Sequence, residues 1–349
     1  MKKISKKITV TLMALLILCC TLSTGCKEKI YFTTGLNDNQ LFKISGKICT
    51  VGQLNLVLYS IMEEYEEVFG EDIWGQALGD KTMTEEIKDQ AFANLLDLYC
   101  ITLMAEKENV ILNNDEKIAI TAAANSFYNS LSEETIATLA ITKEDVETLY
   151  TAFYLTKKQY NSYTSNLNIE ISDSAARVIE VQSIYLKTFE YDAGFNKVPY
   201  SEKKTNEIYR QACDIRIQIE NGADFSTLAL KYSDDETLDY VFGKGVMVEA
   251  YEMAAFALSN EEVSDVVITE DGYYIIKCIK DYLENETAQN KESLVKKYKD
   301  DVFLEVFNPY KKTLSYELND KVWEAFDASA ENVDITGFYQ KYYELVEVN

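Results

Sequence analysis

From residue 42 the chain reads FKISGKICT, two short alternating runs about Ser45-Gly46, which predicts a β-hairpin. Thr50 with Gln53 three residues on forms a capping-box signature. Leu54, Leu58, Ile61, Tyr65 and Val68 then follow at helical spacing. Thr82 with Glu85 opens a second helix, whose buried side is marked by Ile87, Ala91, Leu95, Leu98 and Met104. A third helix is expected over 114–131. Thr142 with Asp145 caps a fourth that reaches about residue 163. The first part of the chain is therefore helical behind a short hairpin.

At Ile171-Ser172-Asp173 the period changes. Residues 177–187, RVIEVQSIYLK, alternate as a strand does, and 188–203 read as a polar loop containing Pro199. A helix with Ile208, Ala212, Ile215 and Ile219 on one face ends at Asn221-Gly222, a pair suited to a left-handed cap. Short helices are expected at 225–232 and about 250–258. Asp271-Gly272 turns the chain into a last strand, 273–280. This is the pattern of a small α+β unit of about a hundred residues. Beyond residue 282 the spacing is helical again: Leu294, Tyr298, Val302 and Glu305 mark one stretch, and Leu314, Leu318, Val322, Trp323 and Phe326 another.

Charge and ends narrow the functional classes. The net charge of −24 over 349 residues disfavours nucleic acid, whose phosphates recruit Lys and Arg. Lys2, Lys3, Lys6 and Lys7 precede an apolar run at 8–18 that is short for a membrane span, which reads as a targeting segment. LSTGC at 22–26 resembles the lipobox of bacterial lipoproteins, with Cys26 as the lipidated residue. The alternative is an ordinary secretory signal. Residues 26–40 read as a tether. Cys49, Cys100, Cys213 and Cys278 are far apart and without C-x-x-C spacing, and the chain has no histidine, so no zinc pattern is present. Their even number permits disulfides, although each lies in an apolar segment that suits a buried thiol. No cofactor motif is found.

NGADFSTLALKYSDD, FGKGVMVEAYEMAAFAL and EEVSDVVITEDGYYIIKCI follow one another within 221–279. This order of segments resembles the parvulin family of peptidyl-prolyl cis-trans isomerases. The hairpin and helices before it, and the helices after it, resemble the chaperone region of the PrsA and SurA foldases. The resemblance implies an α+β protein: a helical chaperone region built from 41–172 and 284–349, with a parvulin-like domain inserted over 173–283, behind a signal peptide (1–25) and tether (26–40). It implies a lipid-anchored, extracytoplasmic bacterial folding factor acting on exported polypeptides. A homodimer is left open. The helical flanks argue against a solute-binding lipoprotein, which needs two α/β lobes.

Carried over to this chain, the family pattern puts Met247, Tyr251 and Phe256 on the apolar wall that receives proline. It puts Thr269 before the last strand and Asp235 beside the rotating amide. Ser183 and Tyr274 stand where the family has its two histidines, and each offers a hydroxyl that donates and accepts. The segment between Asp235 and Phe242 lacks the usual Gly-Gly-Asp-Leu-Gly run, of which Asp239 is a candidate remnant. The same apolar residues are also ordinary core formers, and Asp234-Asp235 also reads as a solvated turn. Two functions stay open at this point: an isomerase working through hydroxyls, or a chaperone whose parvulin unit binds peptides without catalysis.

Overall fold

The computed structural model describes residues 35–329 and 333–347; the expected signal segment, Cys26 and the start of the tether lie outside them. The described residues form two units. One comprises the chain up to Leu167 together with the segment from Asp300 onward, and the other is Asn168–Lys299.

In the first unit the expected hairpin forms from strands Gln40–Ile44 and Lys47–Thr50. Ser45 and Gly46 both take positive φ, 46° and 84°, as a two-residue turn between right-twisted strands requires. Helices Val51–Phe69, Met83–Lys107 and Lys143–Thr164 start at complete capping boxes on Thr50, Thr82 and Thr142. Asn113 builds another for helix Asn114–Tyr128. Each box satisfies two backbone donors that a helix start leaves open. The apolar faces of these helices meet in one core that includes Leu54, Leu58, Leu95, Met104, Phe127 and Tyr150. Gly52 is required there, because a Cβ would collide with the Ala140 carbonyl.

The later segment differs from expectation. The helical spacing of Leu314 and Leu318 predicts a continuous helix, but Tyr316–Leu318 is a strand, followed by the short helix Asp320–Ala325. The strand pairs with the hairpin, Leu318 opposite Phe42 and Tyr316 opposite Ile44. A three-residue strand leaves no periodic trace, and its pairing partner lies far away in sequence. Tertiary pairing overrides a local pattern in such a case.

Beside it, the Asp97 carboxylate, 1% exposed, meets the Lys311 ammonium. Among the described residues no further hydrogen bond reaches either carboxylate oxygen. Burial raises the Asp97 pKa and Lys311 opposes that rise.

The second unit is a four-stranded antiparallel sheet in the order Asp239–Gly243, Val178–Lys187, Gly272–Lys280, Val267–Ile268. Side chains alternate between faces along the two central strands. Ile184, Leu186, Tyr273 and Ile275 turn toward helices Glu202–Glu220 and Phe225–Tyr232. Ile179, Val181, Ile276 and Cys278 turn the other way, toward helix Glu249–Ala257, where they pack with Phe242, Tyr251, Ala255 and Leu258. Asn221-Gly222 ends its helix as expected, with Gly222 at φ 91°. The expected polar loop at 188–203 instead contains a hairpin of Phe189–Tyr191 and Lys197–Pro199. Its strands are three residues each, too short to show alternation.

All four cysteines among the described residues are unpaired. Cys49, Cys100 and Cys278 are buried and Cys213 is half-buried. Burial pushes the Cys100 thiol up to about 12, so it stays protonated and unreactive at neutral pH.

Replacing Lys311 by Met leaves Asp97 buried without its cation. We expect a loss of about 3–5 kcal/mol at pH 8 by urea unfolding, since an orphaned buried charge costs that much. The loss should shrink as pH falls and Asp97 takes a proton. The double variant Lys311→Met with Asp97→Leu should recover most of it.

Candidate functional site

The alternation of the two central strands sets out the site. Ser183 and Tyr185 project from one strand to the same face as Ile179 and Val181, and Tyr274 from its neighbour to the same face as Ile276. In the register Tyr274 lies directly opposite Tyr185, and Ile276 opposite Ser183. The opposed tyrosines stack, with ring centroids 4.5 Å apart and planes 19° from parallel. The Tyr185 hydroxyl donates to the Asp271 carbonyl at 2.8 Å, which anchors one end of the stack.

Helix Glu249–Ala257 lays Tyr251 across this face. Its ring meets Tyr274 edge-on at 5.0 Å and Phe242 at 6.0 Å. Phe242 in turn meets Phe256 edge-on at 5.7 Å. Met247 packs half-buried against the same cluster. Arg177 and Lys244 stand over the Phe256 ring at 5.0 and 5.6 Å.

Ser183 and Tyr251 share a hydrogen bond of 2.5 Å between their hydroxyls. Ser183 is 2% and Tyr251 4% exposed, so both lie beneath the surface. Two residues expected to act on substrate are therefore covered and bonded to each other, while Met247 and Phe256 are half-buried.

Asp235 lies at the same face, near enough to influence the phenols of Tyr240, Tyr251 and Tyr274. Its carboxylate is already engaged: Tyr240 donates to Oδ2 at 2.5 Å and the Thr237 amide to Oδ1 at 3.1 Å. Thr269 is likewise occupied, its hydroxyl donating to the Gly272 carbonyl at 2.9 Å and closing the turn before the last strand. Asp239 accepts from Gln182 at 3.0 Å on the edge strand. Of the predicted residues, the structure brings Ser183, Asp235, Met247, Tyr251, Phe256 and Tyr274 to one face. It leaves Thr269 as a turn residue.

Tyr185 and Tyr240 are absent from the sequence reading. Tyr185 had a usable signal, because it alternates with Ser183 along the strand. Tyr240 had none, because its role depends on the shortened segment after Asp235.

The phenols are held neutral. Burial pushes Tyr251 up to about 12, against the pull of its Ser183 bond and with help from Tyr274 and Asp235. Burial, then Asp235 and Asp271, do the same for Tyr274, also to about 12. Burial and Asp235 raise Tyr240 as well. Among the described residues no group pairs with the Tyr274 hydroxyl, which leaves it as a neutral donor beside the apolar cluster of Met247, Tyr251 and Phe256. No group of His, Cys, Asp and Glu side chains among the described residues is arranged to hold a metal. What this arrangement can do is hold a small apolar ring and offer one or two oriented hydrogen bonds to a neighbouring amide.

Residues 193–280 match the family model of the PPIC-type PPIase domain, a rotamase. The match begins after Ser183 and Tyr185. Among curated proteins, the chain is 25% identical over 242 residues to the foldase protein PrsA of Caldanaerobacter subterraneus subsp. tengcongensis, covering 67% of this chain and 71% of that one. It is 25% identical over 232 residues to PrsA of Geobacillus kaustophilus, covering 56% and 79%. Among solved structures, the peptidylprolyl isomerase PrsA of Bacillus cereus aligns over 88% of this chain and 99% of its own, with a TM-score of 0.38 and 16% identity.

The raised phenols fix the sign of an alkaline transition. A tyrosine whose pKa rises from 10.0 unfolded to about 12 folded favours the native state while it is protonated. That contribution is whole below pH 10 and is lost as pH climbs from about 10 toward 12. Thermal unfolding followed across this window should show a falling midpoint, with a smaller fall in Tyr251→Phe.

Proposed function

Because the chain carries a PPIC-type peptidyl-prolyl isomerase domain and resembles the PrsA foldases, we propose that it isomerises X-Pro bonds in exported polypeptides through a tyrosine hydroxyl. Rotation about that bond faces a barrier of about 18–20 kcal/mol and takes tens of seconds unaided. No covalent bond breaks, so the site needs neither nucleophile nor metal. It must seat the proline ring and favour the twisted amide, which has lost its resonance.

In this reading the ring sits against the half-buried Met247 and Phe256, with Tyr251 packed within the same apolar cluster. The Tyr274 hydroxyl donates a hydrogen bond to the amide as it leaves planarity. Ser183 braces the Tyr251 hydroxyl, and Tyr240 braces Asp235, whose charge sits near the site. The observation that carries the proposal is the unpartnered Tyr274 hydroxyl beside this partly buried apolar cluster. It occupies the place of a family histidine and supplies a donor of its own.

A second reading has one observation in its favour. The Asp235 carboxylate and the Tyr251 hydroxyl are both committed to internal bonds. A site so satisfied suits peptide binding without catalysis, which would make the protein a chaperone on an isomerase scaffold.

Placement outside the cytoplasm, held by lipid on Cys26, completes the proposal. Its support is the basic and apolar run at the start of the chain and the LSTGC sequence. No described helix is long and apolar enough to cross a membrane. Two acyl chains would be needed for stable anchoring.

Prolyl isomerisation of a short X-Pro peptide by the full chain tests the catalytic reading. Tyr274→Phe should lower kcat/KM about tenfold, the effect of one hydrogen bond of about 1.4 kcal/mol made in the transition state. Between pH 6 and 9 the rate should show no step from Tyr251 or Tyr274. A wild-type rate at background, with aggregation of an unfolded client still suppressed, would select the chaperone reading.

A further inference from the structure

Residues 333–347 return to the helical unit with their aromatic side chains inward. Phe338 meets Phe127 and Tyr150 at 5.2 Å each and Phe153 at 6.0 Å, between ring centroids. Tyr342 meets Tyr150 at 5.3 Å and Phe153 at 5.6 Å, and Tyr339 meets Phe153 at 5.9 Å. Two polar contacts add to the rings. The Tyr150 hydroxyl donates to the Phe338 carbonyl at 2.5 Å, and the Asp334 amide to the Thr135 hydroxyl at 3.4 Å.

One edge of this segment closes over carboxylates. Glu63 and Glu64, both half-buried, lie on helix Val51–Phe69. The Thr336 hydroxyl donates to Glu63 at 2.6 Å. Glu64 lies within electrostatic reach of Tyr339, whose hydroxyl is enclosed and makes no hydrogen bond among the described residues.

The charges around this pair are negative. Glu63 and Glu67 act on Glu64 from its own helix, and no group of helices Met83–Lys107, Asn114–Tyr128 or Lys143–Thr164 does so. Glu66, Glu67 and, from the segment, Asp334 act on Glu63. Tyr343 acts on Tyr339 beside Glu64. The Trp74 indole takes Glu66 at 2.6 Å, and Lys341, the cation of the segment, is taken by Glu344 at 3.4 Å. Among the described residues no Lys or Arg pairs with Glu63 or Glu64.

Burial pushes Glu64 up to about 7, helped by Glu63 and Glu67. It also raises Glu63, against the pull of the Thr336 bond. At pH 8 the segment therefore closes over a charge without a counter-ion, which is costly. A carboxyl whose folded pKa lies above its unfolded value of 4.5 stabilises the closed form increasingly as pH falls from about 7 toward 4.5.

We infer that residues 333–347 form a pH-responsive strap, which clamps on helix Val51–Phe69 when Glu64 is protonated and loosens when Glu64 is charged, baring the rings of Phe127, Tyr150 and Phe153. The device couples exposure of an apolar face on the helical unit to pH. It is independent of the proline-binding reading, because every group in it belongs to the helical unit.

Hydrogen–deuterium exchange of the full chain at pH 6 and pH 8, with exchange times scaled for the intrinsic pH dependence, tests this. Protection across 333–347 should be about fivefold higher at pH 6, a linkage of about tenfold reduced for the partial exposure of Glu64. Protection across Met83–Lys107 should change much less. Glu64→Gln should hold 333–347 at its pH 6 protection at both values. Glu67→Gln, at an exposed position of the same helix, should keep most of the response. Tyr339→Phe, which removes the enclosed hydroxyl, should raise protection at both values and keep the response.

No pH response in the wild type, or one that Glu64→Gln leaves intact, overturns the inference. So does an equal response across Met83–Lys107, which would mean that pH acts on the whole unit and not on the strap.

Discussion

The site depends on one cross-strand pair, Tyr185 stacked on Tyr274. That register places two phenols on the same sheet face and gives Tyr251 a ring to pack against edge-on. It also sets Ser183, two residues along, beneath the Tyr251 hydroxyl. A one-residue slip of either strand would send that strand's residues here to the opposite face, into the apolar core under helices Glu202–Glu220 and Phe225–Tyr232. The buried alternation of Ile184, Leu186, Tyr273 and Ile275 on that face prevents the slip. Hydrophobic burial on one side of the sheet therefore fixes the chemistry on the other.

The absence of histidine changes the kind of site this fold presents. Imidazole titrates near neutrality, whereas phenol and serine hydroxyls do not. Burial and a nearby carboxylate move the phenols still further from neutrality, so they remain donors across the ordinary pH range. The hydroxyls divide their work by depth. Ser183 and Tyr251 bond to each other underneath, Tyr240 bonds to Asp235, and Tyr274 keeps its hydrogen free. A catalyst of bond rotation asks for no more than a shaped apolar surface and a few fixed donors.

The helical unit follows a different logic. Its helices start at side-chain caps encoded within four residues, and those starts needed no knowledge of the rest of the chain. Its closure uses partners far apart in sequence: Phe42 with Leu318, Asp97 with Lys311, and the Tyr150 hydroxyl on the Phe338 carbonyl. The polar contacts among these are costly to bury and gain from being fully paired. A buried ion pair such as Asp97 with Lys311 is weak evidence for net stability, although removing one partner is costly.

The amino-acid sequence by itself determined the capping boxes at Thr50, Thr82 and Thr142, the left-handed end at Gly222, the alternation of 178–187 and the apolar residues Met247, Tyr251 and Phe256. Each is a local matter of hydrogen-bond donors, backbone conformation or side-chain period. Only the tertiary structure decided that Tyr316–Leu318 is a strand, that 189–199 is a hairpin, and that Ser183 is buried. It also decided that Tyr240 takes Asp235. The physical reason is the same in each case: a short strand or a single hydroxyl has no period to read. Its state depends on which distant group offers a hydrogen bond or a ring within about 3 to 5 Å.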